Sequence, residues 1–466
     1  MIIEDLPKNT LDFTIIGSGP AGLTVAMKLA KLNKTVLVLE AGDEYFSEES
    51  QKMYDGKVIG NKYFDLKEAR LRQFGGSSNH WGGACLDFSK NDFNNWPISD
   101  LDLEPFSKDA QKILNIKMLP NKKFSKNFEQ TFTSTSNVMF NSTYEDFFKK
   151  NKNIKILFNC TLKNINGDKN RAVSIDLNLK GLDRKYKIKN LILASGGIEN
   201  SRLLLWSQKN SDTGFLSDLN IGKNWMEHPI VSVGYFIPNK KLEAKIKTEG
   251  HINLIPTEEN LSTNKINNVR FKLFLFEDNH NQSDKHKEMI REFLCLAPTF
   301  SRNLVKNIFN KELHCAGGIV AFCEQLPKKN NQITLSNNEK DKLGIPKPNL
   351  YWTVDESLKY SLKRTLDILA EDFLSLDIGR IGQNEFIHNS DVKLPEEING
   401  GYHHMGGTPM GINQYSSVCD KNLKIYNTSN LFLAGSSVFP TGSHANPTYH
   451  IVRLSLRLAK HLSELT

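Results

Sequence analysis

One glycine-rich segment constrains the fold of this chain more than any other stretch: Gly17-Ser18-Gly19-Pro20-Ala21-Gly22. It follows the apolar run Phe13-Thr14-Ile15-Ile16 and precedes a helical pattern, and a second apolar run, residues 35–39, leads into Glu40. In a strand–helix–strand unit such glycines permit a tight turn, close approach of the backbone to a pyrophosphate, and packing of the helix on the strand. The diphosphate would lie on free amides at the positive end of the helix, and Glu40 would accept from a ribose hydroxyl. The segment predicts dinucleotide binding; the alternative is a glycine-rich turn in an ordinary α/β fold.

Length and composition indicate a folded protein of more than one domain. A chain of 466 residues exceeds one ordinary core and predicts two or three domains. With 39% apolar and 24% charged residues it has the composition of a globular protein. No run approaches the roughly 20 apolar residues of a membrane span, and Met1-Ile2-Ile3-Glu4-Asp5 contains no hydrophobic signal core. We therefore expect no membrane span and a cytoplasmic location.

Charge and cysteine usage argue against several classes of partner. The formal charge is +8, but the densest lysines, between Lys122 and Lys155, alternate with Asn and Phe and form no sustained block. This pattern favours a solvated face over a nucleic-acid or membrane patch, so we expect no nucleic-acid partner. The six cysteines are scattered without a Cys-x-x-Cys pair, which argues against zinc, iron–sulfur and disulfide frameworks. We expect structural thiols and no metal.

The middle of the N-terminal half alternates between glycine turns and strand patterns. Residues 75–83 contain too many glycines for a regular element and predict a loop in a close approach. Residues 154–158 and 171–179 alternate like strands of a small antiparallel sheet. Residues 189–194 are predicted to form a buried strand, which leads into Ser195-Gly196-Gly197 and then a helical pattern. This second strand–glycine–helix passage predicts that the chain returns to the nucleotide sheet.

The C-terminal region shows the same kind of passage. Residues 430–436 form an apolar strand that ends in small residues. Helical periodicity follows from Ile451 onward, with Asn446 predicted as the N-cap and Pro447 at the first helical position. The positive end of this helix would point at whatever lies beside Asn446.

Three clusters stand out among the 12 histidines because glycines or prolines crowd them. They are His80 in the loop of residues 75–83, His403-His404 within residues 400–408, and His444 two residues before Asn446. A plain core position does not require such glycine crowding. A buried histidine whose nitrogens bond to the backbone is nevertheless common, so spacing alone leaves both the functional and the structural interpretation open.

Four motifs occur in one order along the chain: the fingerprint, the loop of residues 75–83, the His404 cluster and the Asn446-Pro447 ending. This order resembles that of the glucose–methanol–choline (GMC) family of flavin-dependent oxidoreductases. The stretch from Ala194 to Leu203 and the stretch Ile221-Gly222-Lys223-Asn224-Trp225-Met226-Glu227-His228-Pro229 are also similar to family segments. The resemblance covers about residues 13–100, 188–230 and 400–463, and does not securely cover 230–395.

The resemblance implies an α/β fold in which an FAD-binding Rossmann-like domain carries an interleaved antiparallel-sheet substrate domain. FAD is the implied cofactor. The implied FAD-binding domain covers residues 1–229, with small inserted strands at about 151–187, and the chain returns to it over 396–466. The implied substrate-binding domain covers 230–395. It includes strand-like residues 269–276 and an amphipathic helix over 358–373. The residues implied to bind FAD are Gly17, Gly19, Pro20, Ala21, Gly22, Glu40, Ala41, Gly75, Gly76, Ser77, Asn79, His80, Gly435, Ser436, Asn446, Pro447 and Thr448.

The same resemblance assigns catalytic roles to two side chains. His404 would lie beside the flavin and take the proton of the substrate hydroxyl, because an imidazole with an ordinary pKa near 6.5 can be a neutral base. Asn446 would hydrogen-bond the alkoxide, and the helix that begins there would stabilise negative charge on the reduced flavin. We expect His403 to contact these two residues without touching the substrate. We expect His444 to line the pocket and His228 to have only a packing role.

His80 is a candidate for a covalent bond to the flavin. Ser78-Asn79-His80-Trp81 is similar to a motif of the pyranose-oxidising branch, in which a histidine at this loop position carries that bond. A non-covalent flavin contact and a loop-packing role are the alternatives. The chain also departs from many relatives, with Pro409 in place of Arg and Gly435 in place of Asp. Because position 435 has no Asp side chain, we expect the diphosphate to be bound by backbone amides.

Together these features predict an FAD-dependent oxidoreductase that oxidises a CH–OH group of a sugar, polyol or other alcohol to a ketone or aldehyde. Hydride would go to flavin N5 with His404 as the base, and the electron acceptor would be oxygen, a quinone or a redox protein. One alternative is a lyase of the same fold whose flavin is redox-idle. Another is a catalytically idle flavin-binding protein, against which the retention of His404 and Asn446 counts. A nicotinamide-dependent enzyme is disfavoured because only one complete fingerprint is present.

Overall fold

The computed structural model describes residues 1–276, 317–395 and 398–465, together with residues 304, 305 and 308. In this part of the chain the strands β1 to β20 are Phe13–Ile16, Val36–Leu39, Lys57–Gly60, Ala84–Cys85, Lys122–Lys123, Phe128–Thr131, Ser134–Thr135, Ile154–Leu157, Cys160–Asp168, Arg171–Leu179, Leu182–Lys187, Asn190–Leu193, Ile230–Pro238, Ile252–Pro256, Val269–Leu275, Gly317–Cys323, Gln332–Lys340, Pro346–Trp352, Gly379–Gln383 and Leu431–Leu433. The helices α1 to α11 are Pro20–Lys31, Glu48–Gln51, Ser107–Leu114, Phe140–Thr143, Glu145–Lys150, Gly196–Lys209, Lys240–Glu249, Glu258–Asn264, Ser357–Ser375, Glu385–His388 and Thr448–Leu465.

A five-stranded parallel sheet forms the nucleotide layer, with strand order β20-β12-β1-β2-β8. The predicted strand–helix–strand unit is confirmed as β1, α1 and β2, and the predicted returns to the sheet are confirmed as β12 and β20. Ile16 pairs in register with both Leu39 and Leu193, so three strands end at one level. Their carboxyl ends therefore form one edge, at which ligands of open parallel sheets bind.

One strand prediction places a segment in the wrong sheet. Residues 154–158 do contain a strand, β8, but it pairs in parallel with β2 and not with β10. Ile154, Ile156 and Leu157 are all buried, as parallel sheets covered on both faces require. The predicted small antiparallel sheet exists, but it is made of β9, β10 and β11.

The C-terminal helix packs on the nucleotide layer, where α11 contacts α1 extensively. The predicted helix is confirmed, but Asn446 does not cap it. The helix begins at Thr448, and the carbonyl of Pro447 accepts the first helical hydrogen bond, from the Ile451 amide at 2.9 Å. The Asn446 side chain is turned to His403, and its Oδ1 has no hydrogen-bond partner among the described residues.

A seven-stranded antiparallel sheet forms the second layer, with strand order β19-β13-β16-β15-β14-β6-β5. One face packs against α9, the helix predicted over 358–373, through an apolar cluster that includes Phe236, Phe271, Leu366 and Phe373. Strands β5 and β6 enter this sheet from a part of the chain before residue 230. The predicted domain boundaries themselves stay a prediction.

A buried ionic chain ties α6 of the nucleotide layer to the connection between β17 and β18. Glu199 accepts from Arg70 Nη1 at 2.7 Å and from Arg202 Nη1 at 3.1 Å. Arg202 also donates to Asp341 at 2.5 Å. All four side chains are less than a tenth exposed, so each charge depends on its partners. In the described ranges, no helix is long and apolar enough to cross a bilayer.

Candidate active site

A single cavity of about 560 Å³ connects the fingerprint to the histidine cluster. Three separate chain segments therefore meet at one site: the N-terminal turn, the glycine loop of residues 75–83 and the C-terminal motifs. The predicted residues that line it are Gly17, Gly19, Pro20, Ala21, Glu40, Gly76, Ser77, His80, His404, Gly435, Ser436, Asn446, Pro447 and Thr448. Gly22, Ala41, Gly75 and Asn79, which were also predicted to bind the cofactor, do not line the cavity.

The fingerprint forms a cradle that side chains would fill. A Cβ on Gly22 would lie 2.1 Å from the carbonyl oxygen of Gly17, so this glycine permits the helix to pack on the turn. Gly17 has a φ of +100°, which favours glycine. Gly19 precedes α1 and no side chain caps the helix, so its first amides point toward the cavity without a side-chain partner. These features fit a diphosphate held by backbone donors.

Glu40 forms one wall of the cradle and is fixed by hydrogen bonds. Its Oε2 accepts from the Ser18 amide at 3.0 Å and from Ser18 Oγ at 2.6 Å, and its Oε1 accepts from the Gly42 amide at 2.7 Å. The carboxylate is buried at the end of β2. It therefore lies where the fingerprint requires an acceptor, although its oxygens already bond within the protein.

The loop of residues 75–83 is anchored to the fingerprint. The Gly75 amide donates to the Ser18 carbonyl at 3.1 Å, and a Cβ on Gly76 would lie 3.0 Å from Gly19 Cα. Asn79 uses its amide within the loop, donating to the Phe74 carbonyl at 2.8 Å. His80 follows with an exposed side chain at the cavity wall. The predicted close approach of this loop is confirmed.

His404 lies at the other end of the cavity, in contact with Tyr63. The two groups are 3.1 Å apart, from His404 Nε2 to the Tyr63 hydroxyl. Ser436 Oγ donates to the His404 carbonyl at 2.6 Å and fixes the backbone. Burial, and next the positive charge of Arg70, lower the pKa of His404 to about 3. The imidazole is therefore neutral at ordinary pH and has a lone pair on one ring nitrogen.

Tyr63 connects His404 to a buried carboxyl group. Its hydroxyl forms a short hydrogen bond with Glu227, which also accepts from the amides of His228 at 2.7 Å and His403 at 2.9 Å. Burial raises the pKa of Glu227 to about 7. Burial and the neighbouring Glu227 charge hold the pKa of Tyr63 well above its usual value. Among His404, Tyr63 and Glu227, Glu227 is therefore the group whose pKa lies near neutral pH.

A second chain of hydrogen bonds runs through His403 and ends at Asn446. His228 Nε2 lies 3.0 Å from the Gly442 carbonyl, which can only accept, so Nε2 carries the proton. His228 Nδ1 is then an acceptor, and His403 Nδ1 donates to it at 2.8 Å. His403 Nε2 is left as the acceptor for Asn446 Nδ2, at 2.9 Å. The Gly442 carbonyl thus determines which ring nitrogen carries the proton in His228 and in His403.

The structure arranges the predicted catalytic residues differently from the expectation. Asn446 contacts His403, which was predicted only as a supporting residue, and His404 contacts Tyr63. His228 does more than pack, because it orients His403. His444, expected to line the pocket, is buried outside the cavity wall, and its Nε2 has no described partner.

Sequence reasoning missed Tyr63 and Glu227. Tyr63 lies 341 residues before its partner His404 and in no motif. Glu227 stands inside the recognised stretch that ends in His228 and Pro229, so its acidic side chain was the available signal. No cluster of three or more His, Cys, Asp or Glu side chains suited to a metal occurs among the residues that the structure describes.

Two family models match separate parts of the chain. Residues 11–224, which contain most of the parallel sheet, match the model described as pyridine nucleotide-disulphide oxidoreductase. Residues 327–455, which contain His403 and His404, match the model described as GMC oxidoreductase.

Individual proteins of known function are similar at low identity. The fructose dehydrogenase large subunit of Gluconobacter japonicus is 25% identical over 326 residues, which are 69% of this chain and 56% of that protein. The 2-methyl-1,2-propanediol dehydrogenase of Mycolicibacterium austroafricanum is 24% identical over 64% of this chain and 52% of its own. The chain thus spans about half the length of these relatives. The crystal structure of a formate oxidase shares the fold with a TM-score of 0.62 and 14% identity, over 99% of both chains.

Proposed function

We propose that this chain, a member of the GMC oxidoreductase family, is an FAD-dependent oxidoreductase that oxidises a CH–OH group to a ketone or aldehyde. The observation that carries the proposal is the single cavity that connects the glycine cradle to His404 and Asn446. The cradle suits a diphosphate, and the far end offers a base and an amide donor. FAD, when bound there, would supply the acceptor for the hydride.

His404 is the proposed base, and Glu227 controls which of its nitrogens is free. When Glu227 is ionised, the Tyr63 hydroxyl donates to it, so His404 Nε2–H donates to the Tyr63 oxygen. His404 Nδ1, which has no hydrogen-bond partner among the described residues, then holds a lone pair that can take the substrate proton. When Glu227 is protonated, the donors reverse and Nδ1 carries the proton. The base is therefore available above the Glu227 pKa of about 7.

Asn446 is proposed to orient the substrate oxygen. One hydrogen of its Nδ2 goes to His403 Nε2, and the second has no partner among the described residues. Because both nitrogens of His403 are engaged, this histidine serves to position Asn446 and has no free lone pair. This division of roles supports His404, and not His403, as the base.

The proposed substrate is a sugar, a polyol or another alcohol. The names of the two relatives support this class, since one is a fructose dehydrogenase and the other a propanediol dehydrogenase. For the electron acceptor, oxygen, a quinone and a redox protein stay alternatives. The cytoplasmic location also stays a prediction.

His80 is the proposed point of covalent flavin attachment, because it lies at the cavity wall with an exposed side chain. Acid denaturation followed by centrifugation tests this directly. We expect the yellow colour to remain with the wild-type polypeptide and to be released from His80→Ala. Complete release from the wild type would contradict the covalent bond.

The proposed activity is tested by the spectrum of the purified protein and by anaerobic addition of a panel of sugars and alcohols. We expect bound FAD that loses its yellow absorbance with at least one member. Cleavage of a cyanohydrin without bleaching would favour the lyase alternative. Bound FAD with neither reaction would favour the catalytically idle one.

A further inference from the structure

One buried cation of the antiparallel sheet has no anionic partner among the described residues. Arg270, on β15, is 5% exposed, and its Nη1 donates to the neutral Asn253 Oδ1 at 3.2 Å. Its guanidinium lies 4.0 Å from the centre of the Phe322 ring, and its Nε has no hydrogen-bond partner in the part of the chain that the structure describes. Burial lowers its pKa to about 10, so the group is still charged at neutral pH. A buried charge without a counter-ion is costly, which indicates that a ligand supplies the anion.

Arg270 lies on the sheet face opposite the apolar cluster. Val269, Phe271 and Leu273 point into that cluster with α9, so the alternating Arg270 and Lys272 point to the other face. Lys272 is half-buried and forms no ion pair within the described ranges. The buried Glu324 lies on the same face and accepts from the Asn268 amide at 3.2 Å, but neither positive charge forms an ion pair with it or with another described carboxylate.

The same face adjoins the histidine cluster. Phe322 of β16 pairs with Arg270 on one side and with Ile230 on the other, and Ile230 follows His228 by two residues. Two strand spacings place the backbones of Arg270 and Ile230 about 10 Å apart. After burial, the charge of Arg270 contributes to the lowered pKa of His228 and of the cavity-lining His403. Arg270 does not line the cavity, but its charge is within electrostatic range of His403, which does.

We propose that Arg270 binds a carboxylate of the substrate, so that the alcohol this protein oxidises is a hydroxy acid. This inference rests on the proposed function. With Nη1 held by Asn253, Nε and Nη2 remain as two parallel donors on one edge of the guanidinium, and this edge matches the two oxygens of a carboxylate. A sugar acid combines such a carboxylate with the CH–OH group that His404 and Asn446 would receive.

Matched substrates that differ in one group test the proposal. An aldose, the uronic acid with the same stereochemistry, and the corresponding sugar phosphate are compared by the rate of anaerobic flavin reduction. We expect the wild type to favour the uronic acid by about 10² in kcat/KM, because two hydrogen bonds to a charged group are lost with the aldose. A preference for the phosphate would overturn the carboxylate assignment, and equal rates for all three would overturn the anion site.

Variants separate the site from a general effect on folding. In Arg270→Gln that is folded and loaded with FAD, the preference for the uronic acid over the aldose should fall to within a few-fold of unity. Arg270→Lys, which keeps the charge without the paired donors, should fall between the two. The control is Arg364→Gln, an exposed arginine on α9 beyond the opposite face, and it should keep the wild-type preference. An unchanged preference in a folded Arg270→Gln protein would overturn the proposal.

A binding measurement separates failure of this inference from failure of the proposed function. Succinate has carboxylates but no hydroxyl, and calorimetry should show that it binds the wild-type holoprotein and binds Arg270→Gln at least tenfold more weakly. Such binding without flavin bleaching by any alcohol would sustain the anion site and refute the oxidase or dehydrogenase activity. Flavin bleaching by neutral sugars, without binding of succinate, would support the oxidoreductase activity and refute the anion site.

Discussion

The two ends of the cavity are built in different ways. At the fingerprint end, the ligand-facing groups are backbone atoms, and the glycines serve by lacking a Cβ. At the histidine end, the ligand-facing groups are buried side chains whose protonation depends on neighbours, with Glu227 at the centre of the hydrogen bonds. A backbone cradle depends on space, and a side-chain site depends on charge. A substitution in the glycine cradle should therefore abolish FAD binding or folding outright. A substitution at the histidine end should instead lower the reaction rate by a limited factor that depends on pH.

The largest effect is expected at the fingerprint. Gly22→Val should yield little folded holoprotein, because even its Cβ would lie 2.1 Å from the Gly17 carbonyl oxygen. Gly19→Ala should leave the fold intact, since a Cβ there meets no described protein atom within 4 Å, so a loss of FAD from this variant would come from the close approach to the diphosphate and not from packing. Yield, thermal melting and FAD content of both variants check this. Normal FAD content in Gly22→Val would show that the cradle does not depend on space.

The next largest effect is expected at the base. His404→Ala should slow anaerobic flavin reduction by about 10²- to 10⁴-fold, the usual contribution of a general base, with FAD content unchanged. His461→Ala, in the last helix and outside the cavity wall, is the control and should be neutral. Near-normal reduction in His404→Ala, together with a large loss in His403→Ala, would reverse the roles proposed for the two histidines.

A smaller loss is expected at the amide donor. Asn446→Ala removes one hydrogen bond to a developing alkoxide and should slow reduction by about 10- to 150-fold, the equivalent of roughly 1.5–3 kcal/mol. The substitution also leaves the buried His403 Nε2 without its donor, so a modest fall in melting temperature is expected beside the slower reduction. Stopped-flow reduction and thermal melting measure the two quantities separately. A fall in melting temperature with no change in rate would indicate a structural role instead.

The smallest effect is a change in the shape of the pH profile. Glu227 has a raised pKa of about 7, so it becomes ionised, and the His404 lone pair available, as pH rises through that value. The wild-type reduction rate should therefore rise with pH and level off above it. Glu227→Gln, whose amide donates to Tyr63 at every pH, should show no such inflection and should keep the slow low-pH rate. An inflection that persists in this variant would exclude Glu227 as its source.

The contrast between the two ends also explains what the sequence could predict. The residues from Gly17 to Gly22 act within one strand–helix turn, so their spacing carries the information. Segment 154–158 was recognised as a strand but assigned to the wrong sheet, because a short apolar run does not reveal its neighbours. Only the fold brings β8 beside β2.

The histidine end depends on contacts between distant residues. Tyr63 lies 164 residues from Glu227 and 341 from His404, so no local pattern marks it. The motifs identified both His403 and His404, but not which of them Asn446 contacts. That choice follows from the Gly442 carbonyl, which determines the proton positions of His228 and His403. Arg270 was missed because an arginine in a strand pattern becomes informative only when its partners are known.

The central claim is that this protein oxidises a CH–OH group with bound FAD, and anaerobic mixing of the holoprotein with its best alcohol tests it most directly. We predict that the yellow absorbance is lost as about one carbonyl product forms per flavin, and that a substrate carrying deuterium on the same carbon reacts more slowly. Fully loaded protein that keeps its yellow absorbance with every alcohol, sugar and hydroxy acid offered would contradict the claim.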